Sequence, residues 1–285
     1  MFFNRLPHYH GMGKVVVLLG CGHGIGNVTA KKLSLLGYNV IAGCLTDEGV
    51  LKLHEQEVTG IRAEECDVTK TEDVARLVSI VEREYNGKLH ALVNNARIVS
   101  SGQALVVPLE ASETVGTVNL LGTVRMTKIF LPLLVDNAGS RIVFMSSICG
   151  VCPLWGGSSY SASKFGIEGY ARVLRDGLHV FDVQVSIINP GLTGTNLINS
   201  SMQSIRDNVQ ACPEGLKKLF RLDYADRSCE RNAVMMRSAT IDDVSVPTGY
   251  ICKAVGSMHC GGRYYSGFLA KTIYIPPRWY FPGFL

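Results

Sequence analysis

Basic runs are missing from this chain, and so is a large excess of either charge: 28 Lys+Arg stand against 24 Asp+Glu over 285 residues, a formal net charge of +4. Without a basic stripe, nucleic acid is not an expected partner. Long hydrophobic runs are scarce as well. The longest, such as 15–19 and 129–135, fall far short of the ~18 residues of a membrane span. Residues 1–13 lack the apolar core of a secretory signal. Residues 1–14 are basic and free of acidic residues, which keeps a mitochondrial destination open beside the expected cytoplasmic or peripheral-membrane one. No repeat or low-complexity stretch is present, and a hydrophobic fraction of 47% excludes disorder. A chain this long can bury roughly 75% of its unfolded surface. Nine cysteines, an odd and scattered set, do not make a disulfide framework. Cys21, Cys44 and Cys66 end apolar runs and read as packed free thiols. Cys149 and Cys152 lack a second pair at zinc spacing and read as a packed loop, so no metal is expected.

What is present is a rhythm. Short β-branched apolar runs at 15–19, 40–42, 89–93, 142–145 and 183–188 read as strands buried on both faces. Between them, 26–36, 72–84, 113–134 and 161–179 have helical length and period. The alternation predicts βαβ units: an α/β fold, a single doubly wound, Rossmann-type parallel sheet with helices on both faces. The expected layout is an extension at 1–13, this domain at 14–267 with a more polar, helical substrate-side insertion at about 195–262, and a tail at 268–285. The tail carries six aromatics and three prolines. It suits a membrane interface, a cover over a substrate pocket, or packing on the body of the domain.

Gly20-Cys21-Gly22-His23-Gly24-Ile25-Gly26 closes the first strand and opens directly into a helix. Glycines there permit a tight turn and close backbone approach to a pyrophosphate, whose charge the helix N-terminus receives. Tyr160 and Lys164 stand at i, i+4 on one helix face. A phenol of pKa ~10 is a poor base at neutral pH, and a neighbouring cation favours its ionised form.

In this order, the motifs resemble those of the short-chain dehydrogenase/reductase family. The resemblance is carried by the glycine pattern, Asp67-Val68 behind a third strand, Asn94-Asn95-Ala96 behind the fourth, Asn119 in a helix, Ser147 behind the fifth, Tyr160 with Lys164, and Pro190-Gly191 with Thr195 behind the sixth. The 13-residue step from Ser147 to Tyr160 fits it too. Residues 42–46 and 118–128 and the ending 263–267 resemble the branch of retinol, hydroxysteroid and D-3-hydroxybutyrate dehydrogenases.

The resemblance implies that Tyr160 takes the alcohol proton while hydride leaves for a nicotinamide. Lys164 would lower the tyrosine pKa and hold the nicotinamide ribose, Ser147 would bond the substrate oxygen, and Asn119 would hold a water between Lys164 and solvent. It implies a cofactor seat of Gly20, Gly22, Gly24, Ile25, Gly26, Asp67, Val68, Asn94, Ala96, Tyr160, Lys164, Pro190, Gly191 and Thr195. NAD is expected over NADP, because His23 and Leu45 stand where a phosphate-binding cation would be. Asp47, 21 residues after Gly26, is a candidate for the ribose, although Asp47 and Glu48 also suit the first turn of the next helix. Arg97 departs from the family's usual glycine, and could strain the turn, crowd the cofactor, point outward or meet the cofactor phosphates.

Three activities are weighed. The leading one is oxidation of a small lipophilic alcohol, or reduction of its ketone, of hydroxysteroid or retinoid type. A hydroxy acid such as 3-hydroxybutyrate would need a pocket cation, with Lys217, Lys218 and Arg221 as candidates. A dinucleotide-binding sensor weakened by Arg97 is the third. The family also implies a homodimer or homotetramer formed through the helices of Asn119 and Tyr160.

Overall fold

In the computed structural model, the described residues are 11–56, 58–194, 197–221, 223–238, 243–267 and 271. Seven strands, β1 (Val15–Leu19), β2 (Asn39–Cys44), β3 (Ile61–Glu65), β4 (Ala91–Asn94), β5 (Arg141–Met145), β6 (Gln184–Pro190) and β7 (Arg263–Ser266), form one sheet. Their order is β3-β2-β1-β4-β5-β6-β7, and every pairing is parallel. Chain order therefore reverses between β1 and β4, the place where open α/β sheets leave a crevice beyond their C-terminal strand ends.

The five apolar runs all become strands, each within a few residues of its expected ends. β1, β4 and β5 are buried along their whole length, as a parallel sheet covered on both faces requires. The two remaining strands lie at the edges. β3 is Ile-Arg-Ala-Glu-Glu, with only Ala63 fully buried, and an edge strand with one partner has no need of a continuous apolar run.

Helices cover both faces: α1 (Gly24–Leu35), α2 (Asp47–His54), α3 (Thr71–Tyr85), α4 (Leu109–Gly116), α5 (Thr123–Val135), α6 (Ser158–Leu178), α7 (Leu197–Ala211), α8 (Glu214–Lys217), α9 (Tyr224–Ser238) and α10 (Ser245–Gly256). One apolar cluster joins the sheet to α3, α5 and α6 through Leu77, Met126, Phe130, Phe144 and Ile167. The other joins it to α1 and α10 through Ile25, Leu33, Val93, Met145 and Ile251. The helix expected over 113–134 runs from 109 to 135, interrupted by a π-helical turn at Thr117–Gly122. The stretch Leu109–Val135 is long and apolar enough to cross a membrane, with mean hydropathy 1.4. Here Met126, Phe130 and Leu134 of it are buried in the first cluster, which is what a core helix does.

Between β6 and β7 the described residues form α7 to α10 and the turns that join them. None of the nine cysteines is joined in a disulfide. Among the described residues, no three His, Cys, Asp or Glu side chains gather as a metal site would need. Thr195 and all of the tail except Lys271 lie outside the described residues, as does the extension up to residue 10.

Candidate active site

The glycine loop leaves β1 with Gly20 at φ +72° and turns into α1 with Gly24 at φ +60°, both left-handed. A Cβ on Gly20 would come within 2.8 Å of Ala96 Cα, whereas one on Gly22 would meet nothing nearer than Gly49 Cα at 3.5 Å. Gly20 is thus glycine for the turn and for the close neighbour strand, while Gly22 leaves an open face. Gly26 serves packing: a Cβ there would collide with the Gly20 carbonyl oxygen. At the start of α1, His23 provides no side-chain cap and the first turn has no acidic residue. Its N–H groups and the positive end of the helix dipole therefore face the loop uncompensated.

A groove of about 330 Å³ opens over this loop, lined by Gly20, Gly22, His23, Gly24, Ile25, Leu45, Thr46, Cys66, Asp67, Val68, Asn95, Ala96, Arg97, Ile98 and Val118. Seven of the residues expected to seat a cofactor line it: Gly20, Gly22, Gly24, Ile25, Asp67, Val68 and Ala96. Asn94 is buried instead, its Nδ2 donating to Thr127 Oγ1 at 3.2 Å. Pro190 ends β6 and Gly191 follows it, its N donating to Ser266 O at 2.9 Å. Asp47 does not line the groove; it is a first-turn acid of α2, behind Thr46, whose side chain caps the helix by accepting from Gly49 N at 3.3 Å. Open glycine faces, an uncapped helix start and the absence of a carboxylate from that end suit the pyrophosphate of a dinucleotide.

Asn95 was read only as part of a motif, yet it ties the groove together. Its Nδ2 donates to Leu19 O at 2.9 Å and Gly20 O at 3.1 Å, locking the β4 turn to the glycine loop.

The catalytic candidates converge next to Arg97, outside the groove lining itself. Ser147 follows β5, and Tyr160 and Lys164 project from the first two turns of α6. Tyr160 is buried and hydrogen-bonded with Ser147 and with Arg97. Burial pushes its phenol up to about 12, against the charge of Arg97, which acts in the opposite direction. Lys164 is 1% exposed, and its Nζ donates to Met145 O at 2.8 Å and lies 5.5 Å from the centre of the Tyr160 ring. Burial first, and Arg97 second, bring its ammonium down to about 7.

Asn119 sits in the π-helical turn, a feature common at functional sites. Its Oδ1 accepts from Ile98 N at 2.8 Å, and its Nδ2 donates to Ile98 O at 3.0 Å and Ser163 Oγ at 3.1 Å. The side chain thus pins the loop after β4 to α6. Behind Ser147, Asn189 Nδ2 donates to Ser147 O at 2.9 Å and to Glu168 Oε1 at 2.6 Å, and Arg263 pairs with Glu168 Oε2 at 2.5 Å. This support spans β6, α6 and β7 and carries no short-range signature in the sequence.

On the substrate side, α7 is stitched to the loop after β4. Ser204 Oγ accepts from Ser101 N at 2.9 Å, and Asn208 Nδ2 donates to Ser100 Oγ and Ser101 O, both at 2.9 Å. The cations weighed for a carboxylate substrate are occupied or exposed: Lys217 pairs with Glu214 at 2.9 Å, Arg221 with Asp223 at 3.2 Å, and Lys218 faces solvent.

Comparison with known proteins agrees with this geometry. The sequence pattern described as short chain dehydrogenase matches residues 14–206. Retinol dehydrogenase 7 of Rattus norvegicus is 34% identical over all of this chain and 90% of its own length. The 17-beta-hydroxysteroid dehydrogenase type 6 of Bos taurus is 32% identical over 96% of this chain and 87% of its own. Among solved structures, a short chain dehydrogenase/reductase from Burkholderia phymatum in complex with NAD has a TM-score of 0.72 at 22% identity, covering 90% of this chain and 89% of that one. Fold, motif order and full-length similarity lead to one conclusion: the chain belongs to the short chain dehydrogenase family, in its retinol and hydroxysteroid dehydrogenase branch.

Proposed function

We propose that this protein is an NAD-dependent alcohol dehydrogenase for a lipophilic secondary alcohol or retinol-like substrate, with Tyr160 as its acid–base group. The observation that carries the reading is the convergence of Ser147, Tyr160 and Lys164 beside Arg97, a residue that lines the groove over the glycine loop. Tyr160 Oη receives the alcohol proton in oxidation and returns it in reduction, while Ser147 Oγ bonds both the phenol and the substrate oxygen. Lys164, with an ammonium near neutrality, is able to exchange a proton within the working pH range. The hydride chemistry is supplied by the dinucleotide when bound. Gly22, Gly24 and the start of α1 hold its phosphates, and Asp67 and Val68 bound the far end of the groove.

NAD is favoured over NADP because His23, Leu45 and Thr46 line that end with no Lys or Arg among them, and the Asp47 and Glu48 carboxylates stand next in α2. A 2′-phosphate there would lack a cation and meet acid. A lipophilic substrate is favoured over a hydroxy acid by the local pairing of Lys217 and Arg221. Leu109, Leu121 and Val173 are 68%, 53% and 73% exposed on the helices carrying Asn119 and Tyr160, which supports association of two copies through that face. The aromatic tail supports contact with a membrane periphery.

Fluorescence titration with NADH and NADPH in parallel tests the cofactor assignment. Tight NADH binding with at least tenfold weaker NADPH binding is expected, since a charge-assisted contact is missing for the phosphate. Equal binding would remove the charge argument, and binding of neither would remove the dehydrogenase reading.

A further inference from the structure

Arg97 directs its charge inward. Its Nη1 donates to Asn95 Oδ1 at 2.8 Å and to Asn95 O at 3.2 Å, and Asn95 is itself locked to the glycine loop. From that anchor the side chain lines the groove and hydrogen-bonds the Tyr160 phenol. Among the described residues, no carboxylate pairs with it. A planar guanidinium that never loses its charge is held by Asn95 and has further donors to offer a phenol.

The other groups around the phenol carry less positive charge. Ser147 is neutral. The Cys149 thiol, pushed up to about 11 chiefly by burial, is protonated at neutral pH. Lys164 spends Nζ on Met145 O and, with its ammonium brought down to about 7, is only partly charged at neutrality. Glu168 on the same helix faces Lys164, but both of its oxygens are engaged, by Asn189 and Arg263. Arg97 is therefore the one full positive charge set against Tyr160 among the described residues.

We propose that Arg97 is a positioning residue for the acid–base step: its guanidinium, pinned by Asn95, is the fixed cation that lets Tyr160 give up its proton in this site. Lys164 is left free to change its own charge. The inference rests on Tyr160 being the acid–base group, and it assigns a part of that work to a residue outside the Tyr160–Lys164 helix.

The test begins on the free protein, so that it stands apart from turnover. With tyrosine labelled by 13C at the ζ carbon, and the Tyr160 line identified by its loss in Tyr160→Phe, ionisation is followed at a fixed alkaline pH at which the fold persists. In Arg97→Met the ionised fraction should fall about tenfold or more, the effect of removing a cation from beside a phenolate. Arg97→Lys should recover part of it. In the second arm, the acidic limb of kcat/KM against pH, measured with NAD and the best alcohol, should move alkaline in Arg97→Met, with kcat carrying the loss rather than the alcohol KM. A moved Tyr160 line in a protein without turnover would uphold Arg97 and refute the proposed dehydrogenase activity. An unmoved line overturns the inference; if Arg97→Gly then binds NADH more tightly, the guanidinium is an obstruction in the groove.

Discussion

The glycine end of the site and the catalytic end are built on opposite electrostatic plans. The glycine end has no formal charge among its lining residues at 20–26: backbone N–H groups and a helix dipole do the work, and their positions are set by which residues lack a Cβ. The catalytic end has side chains for every role, with Tyr160, Lys164 and Arg97 crowded together and the first two shifted by burial. Phosphates are ionised throughout the working pH range, so backbone dipoles suffice to hold them. A proton must move at the other end, so groups that titrate are needed, and burial tunes them.

The difference can be broken most severely at Ser147. Ser147→Ala removes a hydroxyl bonded to the phenol and should lower kcat about 100-fold or more, the usual contribution of a positioned acid–base partner. NADH affinity should stay near that of the parent, because Ser147 is not among the groove-lining residues. Steady-state kinetics beside the fluorescence titration check this.

At the glycine end the expected pattern is reversed. Gly26→Ala forces a methyl group onto the Gly20 carbonyl and should cost ~1–3 kcal/mol of stability in denaturant unfolding, the range for overpacking, with NADH binding weakened alongside. Gly22→Ala meets only an ordinary contact. It should leave the unfolding midpoint unchanged while still lowering NADH affinity, which sharpens the distinction between a glycine kept for packing and one kept for ligand approach.

A pH experiment separates the ends by charge. Lys164 titrates near 7 in the fold and at 10.5 when unfolded, so between those values the unfolded chain binds more protons and stability rises with pH. From pH 7 to pH 9 the gain should be roughly 2 kcal/mol from this group, at 1.36 kcal/mol per pH unit once the folded-state ammonium has lost its proton. Lys164→Met should flatten the slope, and Gly22→Ala should leave it unchanged. The smallest effect is expected at Thr46, where alanine removes the α2 cap at a cost of ~1 kcal/mol and moves neither cofactor choice nor the pH profile.

Much of this was legible in the sequence because its signals are local. A glycine loop between an apolar run and a helix, or a tyrosine four residues before a lysine, is written in consecutive residues. The central strands were legible because burial on both faces leaves a continuous apolar run. The edge strands were not: β3 alternates charged and apolar residues, and β7 reads Arg-Tyr-Tyr-Ser. Asp47 could be read by spacing or by helix-start chemistry, and its place in the first turn of α2, off the groove lining, is fixed by how that helix packs. Arg97 was visible as a departure, but the direction of its side chain depends on Asn95 and Tyr160, the latter more than sixty residues away. The Asn189–Glu168–Arg263 support behind Ser147 joins three elements through tertiary contact alone. No window of sequence contains it.

The central claim is that a lipophilic alcohol loses its proton to Tyr160 as NAD takes up hydride. It is tested most directly by NADH formation from NAD with a panel of retinol and hydroxysteroid substrates, comparing the parent with Tyr160→Phe at matched NADH affinity. Turnover by the parent, reduced at least 100-fold in the variant, is the predicted result. Equal rates in the two proteins would contradict the account.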